Sequence, residues 1–239
     1  MAIANTRAAL CKVIEGIPLF SGLAADKISV LADVCSTVPY AIGKPIISKG
    51  MLPESLYVII SGRVRSLYQE SSSGAVQTIR LLDAGELFGW VSLMRRQPTE
   101  IATASEETIC LQIPSSSLGK VLKALPFLYD LLSQRTDPSE ICALLEAPFS
   151  NDPRKEARIS ESGFSGIKEL ALHLYTAAVV VDTGFSRVVP QNKLQWFVSR
   201  SDDPAYQPGT EFRPSSAEIS GTLSLRLVGL DRRSRWPGN

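Results

Sequence analysis

Apolar positions fall at two different spacings along the chain, and the change from one to the other marks out its parts. Near the start they recur at helical intervals. Thr6–Glu15 predicts a helix with Ala8, Ala9, Val13 and Ile14 on one side, closed by Gly16. Ala24–Cys35 predicts a second, with Ile28, Leu31, Ala32 and Cys35 at i, i+3, i+4 and i+7. Between them Ile17-Pro18-Leu19-Phe20-Ser21-Gly22-Leu23 is an apolar, turn-rich connector. From Val38 to Pro114 the pattern turns to short β-type runs: Pro45–Ser48, Leu56–Ser61, Arg63–Tyr68, Val76–Leu82 and Thr108–Ile113. Lys49-Gly50, Ser61-Gly62, Ser71–Gly74 and Asp83-Ala84-Gly85 separate them. Many short strands with turn signals between them predict a sandwich or barrel. Ser71–Gly74 reads as a solvent-exposed hairpin loop, because such residues build no core.

Helical spacing returns after Pro114. The serines at 115–117 offer an N-cap for Leu118–Ala124, Pro126 suits the first turn of Phe127–Leu132, and Pro138 precedes Glu140–Glu146. Pro148 and Pro153 interrupt the chain, and the charged, apolar-poor Asn151–Ser165 reads as a linker. Ser165 is placed to cap a helix over Ile167–Val181, ended by Asp182-Thr183-Gly184. The remainder is β-like, with Val188-Val189, Leu194–Ser199 and the alternating Leu223–Val228 around a loop at Ser201–Ser216. The expected organisation is a β-rich domain with flanking helices over 1–147, a linker over 148–164, and a small α+β appendage with a frayed end over 165–239.

Composition changes this picture little. With 25 basic and 24 acidic residues, net charge +1, nothing in the gross charge advertises a nucleic-acid partner. Cys11, Cys35, Cys110 and Cys142 are far apart and show no CxxC or zinc spacing, which predicts thiols in a reducing compartment. The opening residues lack the uninterrupted apolar stretch of a signal peptide. The most apolar helical run, Leu170–Val181, is well short of the ~20 residues that cross a bilayer. The expected location is the cytoplasm, or the cytoplasmic face of the inner membrane through a partner.

The order of small motifs carries more. Pro18-Leu19-Phe20-Ser21-Gly22-Leu23, Gly43-Lys44, Lys49-Gly50, Ser55–Ile59, Ser61-Gly62-Arg63-Val64, Gly85-Glu86-Leu87-Phe88-Gly89 and Leu111–Pro114 follow one another at characteristic intervals. In that order and spacing, Ile17–Pro114 resembles the cyclic-nucleotide-binding domain family of the catabolite-activator type. The resemblance implies a mainly β fold with flanking helices, a double-stranded, jelly-roll-like β-roll, followed by the α+β appendage. Gly43, Gly62, Gly85 and Gly89 fall where a β-roll needs tight turns or positive φ.

The family's phosphate-binding cassette runs Phe-Gly-Glu, a short helix, then Arg and a small residue. The resemblance implies that N–H groups at the short helix face a cyclic phosphate, that the Arg pairs with it, and that the Glu accepts from the ribose 2′-OH. Here the segment is Phe88-Gly89-Trp90-Val91-Ser92-Leu93-Met94-Arg95-Arg96-Gln97-Pro98-Thr99-Glu100. Trp90 stands at the Glu position, and the Arg position holds Pro98, Thr99 or Glu100, depending on a one-residue gap. The candidate ligand-pocket residues are Gly85, Phe88, Gly89, Trp90, Val91, Ser92, Arg95, Arg96, Thr99 and Glu100. With both charged anchors missing, no cofactor is expected and cyclic nucleotides should bind weakly. A Glu100 at the Arg position would repel phosphate. Trp90 is expected to fill the vacated space as core, the alternative being to stack on a ligand, and Arg95 and Arg96 to be solvated, the alternative being an anion site one register earlier.

No catalytic constellation or metal site can be assembled. The sole histidine, His173, lies on an apolar helical face, with no second histidine for a metal pair. The expectation is a non-catalytic regulatory or interaction module whose partner is another protein domain, with no nucleic acid and no membrane span. Gly89–Leu93, Asn192–Ser199 and Leu225–Leu230 resemble the N-terminal regulatory region of cyanobacterial-type peptidase-containing ABC exporters. Trp196, Phe197 and Trp236 are candidate interface anchors. The alternatives are a catabolite-activator-like transcription regulator, or a sensor of cyclic nucleotide or another small anion. The first needs a long dimerisation helix, and Pro126, Pro138 and Pro148 interrupt the place for it.

Overall fold

The computed structural model of the chain describes residues 6–70, 73–135, 137–149, 165–177, 180–182 and 224–226. Helix α1, Arg7–Glu15, starts where the Thr6 hydroxyl accepts the N–H of Ala9. Its buried face is Leu10 and Ile14, whereas Ala8 is exposed, because the larger side chains remove more apolar area from water. A 3₁₀ turn at Pro18–Phe20 leads to α2, Ala25–Ala32. That helix is shorter than its periodicity predicts, yet Ile28, Leu31, Ala32 and the following Cys35 are all buried.

Eight strands follow: β1 Ser36–Tyr40, β2 Pro45–Ile47, β3 Ser55–Ser61, β4 Val64–Gln69, β5 Val76–Leu82, β6 Leu87–Phe88, β7 Ile101–Ala104 and β8 Thr108–Pro114. Among the described residues they form two four-stranded sheets, ordered β1-β8-β3-β6 and β2-β7-β4-β5. The pairs β1–β8, β3–β8, β3–β6, β2–β7 and β4–β7 are antiparallel. This is the mainly β architecture with flanking helices, the β-roll, that the sequence predicts. The short helix α3, Trp90–Arg95, sits between β6 and β7.

Strand β3 shows why these residues make this fold. Its first five residues are all buried, a continuous run that requires cover on both faces. Tyr57 and Ile59 point into one core with Ile47, Val64, Leu82, Phe88, Ala102 and Cys110. Leu56 and Val58 point into a second core, built with residues of α1, α2, α3 and the segment Leu118–Leu132 after β8. Consecutive residues thus divide between two apolar clusters, as the period-two geometry of a strand dictates.

Three strands escape the sequence reading. Strand β1 contains Pro39 and is an edge strand, the place in a sheet where a missing N–H is tolerated. Strands β6 and β7 are only two and four residues long and become strands through their partners, Tyr57-Val58 for β6 and both β2 and β4 for β7.

After β8 come α4 Ser115–Ala124, α5 Pro126–Gln134 and α6 Pro138–Phe149, three short helices each beginning at or just after a proline. The serines at 115–117 form the first turn of α4 and do not cap it; Pro114 occupies the cap position. Helix α7 spans Ile167–Ala177 and ends before Val181. Val180–Asp182 is instead strand β9, parallel to β10 at Ser224–Arg226, since a β-branched run favours extended backbone.

The chain divides into two compact units. One takes in the described residues of Met1–Leu67 and Arg80–Leu132, the other those of Tyr68–Ile79 and Ser133–Ser234. In the second unit α6 packs against α7, burying Ile141, Cys142, Ile167, Leu170 and Ala171. Ile167, Leu170 and Ala171 of α7 are thus buried within the chain. In the same unit the Tyr68 hydroxyl donates to Glu146 at 2.7 Å, and burial followed by this bond pushes the phenol pKa up. The expected linker does not begin at 148: helix α6 runs through Pro148 to Phe149, and residues 150–164 lie outside the described residues, as do the strands at Val188-Val189 and Leu194–Ser199, the loop at Ser201–Ser216, and Trp196, Phe197 and Trp236. Among the described residues no helix is long and apolar enough to cross a membrane.

Candidate functional site

The cassette begins where β6 runs into α3. Phe88, 3% exposed, stacks on Tyr57 with ring centroids 4.9 Å apart. Gly89 follows with φ +80°, a conformation that costs an L side chain energy. A Cβ there would lie 2.9 Å from the Ser55 carbonyl and 3.1 Å from Tyr57 Cδ2. Glycine is required on both counts, and the resulting backbone aims its N–H into the cassette.

That N–H does not wait for a ligand. The carboxylate of Glu100, a residue 6% exposed, accepts it at 2.8 Å through Oε1. Its other oxygen accepts the N–H of Ser92 at 2.9 Å. Ser92 returns the contact: its Oγ accepts the N–H groups of Thr99 at 3.2 Å and Glu100 at 3.1 Å. The two hydroxyls of Ser92 and Thr99 lie 3.3 Å apart. Four backbone N–H groups, of residues 89, 92, 99 and 100, are therefore engaged by two side chains of the cassette itself. Buried polar groups avoid a large desolvation penalty only when so paired, and bonds to a charged acceptor are the stronger kind.

The other candidates have different roles. Trp90 is 3% exposed and belongs to the core with Leu56, Val58, Val91 and Met94, as expected of a residue that fills space. Arg95 is not solvated as predicted. It is 2% exposed, and its guanidinium carbon lies 5.9 Å from the centre of the Trp90 ring, a cation–π contact. Arg96 is exposed, as predicted, and closes α3 in the left-handed region at φ 54°. Val91 is fully buried core. Gly85, φ +91°, spends its N–H on the carbonyl of Ile59, tying the turn before β6 to β3 at 2.7 Å. The structure thus brings Gly89, Ser92, Thr99 and Glu100 into one hydrogen-bonded group, pairs Trp90 with Arg95, and leaves Gly85, Phe88 and Val91 in the framework. The Ser92–Glu100 coupling is invisible to sequence reasoning. Its available signal is an acid in a segment whose family pattern presents donors to an anion.

Among the described residues no cluster of His, Cys, Asp and Glu is arranged to hold a metal. Cys35, Cys110 and Cys142 are buried free thiols and Cys11 is half-buried; burial pushes Cys35 and Cys110 up to about 12 and also raises Cys142. Such thiols carry little nucleophilic thiolate.

Comparison with known proteins agrees with this architecture. Residues 37–124 match the cyclic nucleotide-binding domain family. The chain is 34% identical over 115 residues to a cyclic AMP receptor protein of Thermus thermophilus, an overlap of 48% of this chain and 53% of that protein. It is 24% identical over 147 residues to a cGMP-dependent protein kinase, isozyme 1, of Drosophila melanogaster, covering 60% of this chain and 17% of the kinase. Among solved structures, the regulatory subunit of a cAMP-independent protein kinase A from Trypanosoma cruzi, bound to guanosine, superimposes with a TM-score of 0.50 at 18% identity, over 60% of this chain and 50% of that one. That last likeness is one of fold. The chain spans about half the length of the Thermus relative and far less of the kinase. Residues 37–124 thus match the cyclic nucleotide-binding domain family, and the two sheets with their flanking helices have the β-roll fold of that family.

Proposed function

We propose that this domain is a regulatory or interaction module that performs no catalysis and whose cyclic-nucleotide cassette is closed to cyclic phosphates. One observation carries the reading: the four N–H groups of the cassette already bond to Glu100 and Ser92. A cyclic phosphate entering there would meet the Glu100 carboxylate, and none of Pro98, Thr99 and Glu100, one of which takes the family's Arg position, is a cation. It would also find a tryptophan, packed as core, where the ribose carboxylate belongs. Forgoing two charge-assisted contacts costs at least ~100-fold in affinity at 1.4 kcal/mol per decade. The Thermus relative is named for cyclic AMP, but that name does not carry over to a cassette lacking both anchors.

Calorimetric titration of the full chain with cyclic AMP and cyclic GMP is expected to give no saturation in the micromolar range. Micromolar binding of either nucleotide would overturn the reading and restore the sensor alternative.

The partner in this reading is another protein domain. The exporter resemblance of Gly89–Leu93, Asn192–Ser199 and Leu225–Leu230 names a candidate, and retention on the immobilised cytoplasmic domains of such an exporter tests it. A transcription regulator is the second reading, resting on the resemblance of Ile17–Pro114 to the catabolite-activator type. The division of the chain after β8 into three proline-started helices argues against the single long dimerisation helix it needs. A shift of operator DNA at physiological salt would decide for it.

A further inference from the structure

We propose that Glu100 is a built-in occupant of the cassette: it excludes anionic ligands and holds the segment from Gly89 to Glu100 in one bonded state that needs no ligand. The inference rests on the closed-cassette reading and goes further, because it assigns the exclusion to one side chain and makes the state constitutive.

The geometry is reciprocal. The Glu100 carboxylate bridges two donors that lie at the start of α3, Gly89 N–H and Ser92 N–H, at 2.8 and 2.9 Å. The backbone that carries Glu100 is held in turn by Ser92 Oγ, through the N–H groups of Thr99 and Glu100 itself. Each half of the cassette fixes the other, so the loop between α3 and β7 cannot move away without breaking all four bonds. Glu100 is also not an acid lying on the surface, since it is 6% exposed. An anion competing for the same two donors would have to expel this carboxylate or lie against it with like charge in a site of low dielectric. In a domain of the cyclic nucleotide-binding type, whose response depends on what fills the cassette, a covalently attached occupant makes that response independent of ligand concentration. The module then acts as a fixed surface, and control passes to whatever binds it.

Hydrogen exchange of the full chain without ligand reads the state directly. The amides of Gly89 and Ser92 are expected to be strongly protected in the wild type. In Glu100→Ala they should lose about 100-fold of that protection, the equivalent of two charge-assisted bonds, while β3 and β8 keep theirs. Glu100→Gln should fall between the two, because it keeps one acceptor but turns an NH₂ toward an N–H. It also serves if the alanine variant does not fold. Rapid exchange at these amides in the wild type, or unchanged protection in both variants, would overturn the proposal.

A second measurement isolates exclusion. Thr99→Arg combined with Glu100→Ala is expected to bind cyclic AMP at least ~10-fold tighter than Thr99→Arg alone, where the new cation pairs with the resident carboxylate. Equal affinities would remove Glu100 as the excluding group. Micromolar binding by the wild type would instead strike at the closed-cassette reading, and the exchange result would still report whether Glu100 holds the backbone.

Discussion

The β-roll has two places where a glycine at positive φ sits beside a buried side-chain oxygen, and they differ in charge. At the turn between β3 and β4, Gly62 has φ +87°, and a Cβ on it would lie 2.3 Å from the carbonyl of Glu107 and 2.6 Å from Thr108 Cα. The neighbouring Arg63 N–H is accepted at 3.2 Å by the hydroxyl of Thr108, a residue 1% exposed. That hydroxyl in turn lies within donating distance of the Arg63 and Glu106 carbonyls, at 3.0 and 2.9 Å. A neutral group that both gives and accepts is sufficient to stitch a turn. The cassette at Gly89 uses a full carboxylate for the same kind of task. A carboxylate only accepts, and it is costly to bury. Here it accepts the N–H of Gly89 through one oxygen and that of Ser92 through the other. The turn at Gly62 is tied by a hydroxyl alone, whereas the cassette uses the Glu100 carboxylate for two N–H groups and the Ser92 hydroxyl for two more.

Breaking the two glycines should have the largest effect. Gly62→Ala sets a side chain against the backbone of Glu107-Thr108 and is expected to destabilise by roughly 4 kcal/mol in urea unfolding. Gly89→Ala meets the Ser55 carbonyl and the edge of the Tyr57 ring, which has some room to give, and should cost about 2–3 kcal/mol. Equal losses would mean that φ alone, and not the crowding, sets the requirement.

Removing the oxygens sharpens the charge difference. Glu100→Ala strands two buried donors and should cost about 2–4 kcal/mol, against about 1–2 kcal/mol for Thr108→Val, which strands one. A larger loss at Thr108 than at Glu100 would contradict the distinction between turn and cassette.

The smallest effect is a control in the second unit, where an acid meets N–H and O–H donors in the open. Glu169 accepts from the hydroxyl and the N–H of Ser165 before α7, and these bonds, the hydroxyl first, hold its pKa below the ordinary carboxylate value. A lowered folded-state pKa gives stability that is present above the unfolded value and lost as the pH falls through the folded one. Glu169→Gln should therefore slightly flatten the acid limb of the stability–pH curve and leave neutral pH almost unchanged, since the pair is exposed and solvent-screened. A marked loss at neutral pH would mean that the contact carries more than an exposed cap.

The amino-acid order by itself determined the β-roll and its helices. Period-two runs such as Val76–Leu82, the buried stripe Ile28, Leu31, Ala32 and Cys35, and the glycines at 43, 62, 85 and 89, all with positive φ, are local features that a linear pattern records. It also shows Trp90 after Phe88-Gly89 and no arginine at residues 98–100, since residue identities need no coordinates. What the tertiary structure decided was where each side chain of that segment goes. Arg95 reads as a solvated cation and lies buried over Trp90, because one turn of helix rotates it toward the core. Strands β6 and β7 exist only through their partners. Glu100 reads as a repulsive acid, yet three-dimensional closure carries its carboxylate across eleven residues of chain to the N–H of Gly89. Sequence fixes which groups are available, whereas hydrogen bonding between distant backbone donors and a side-chain oxygen depends on distance and angle, which only the folded chain sets.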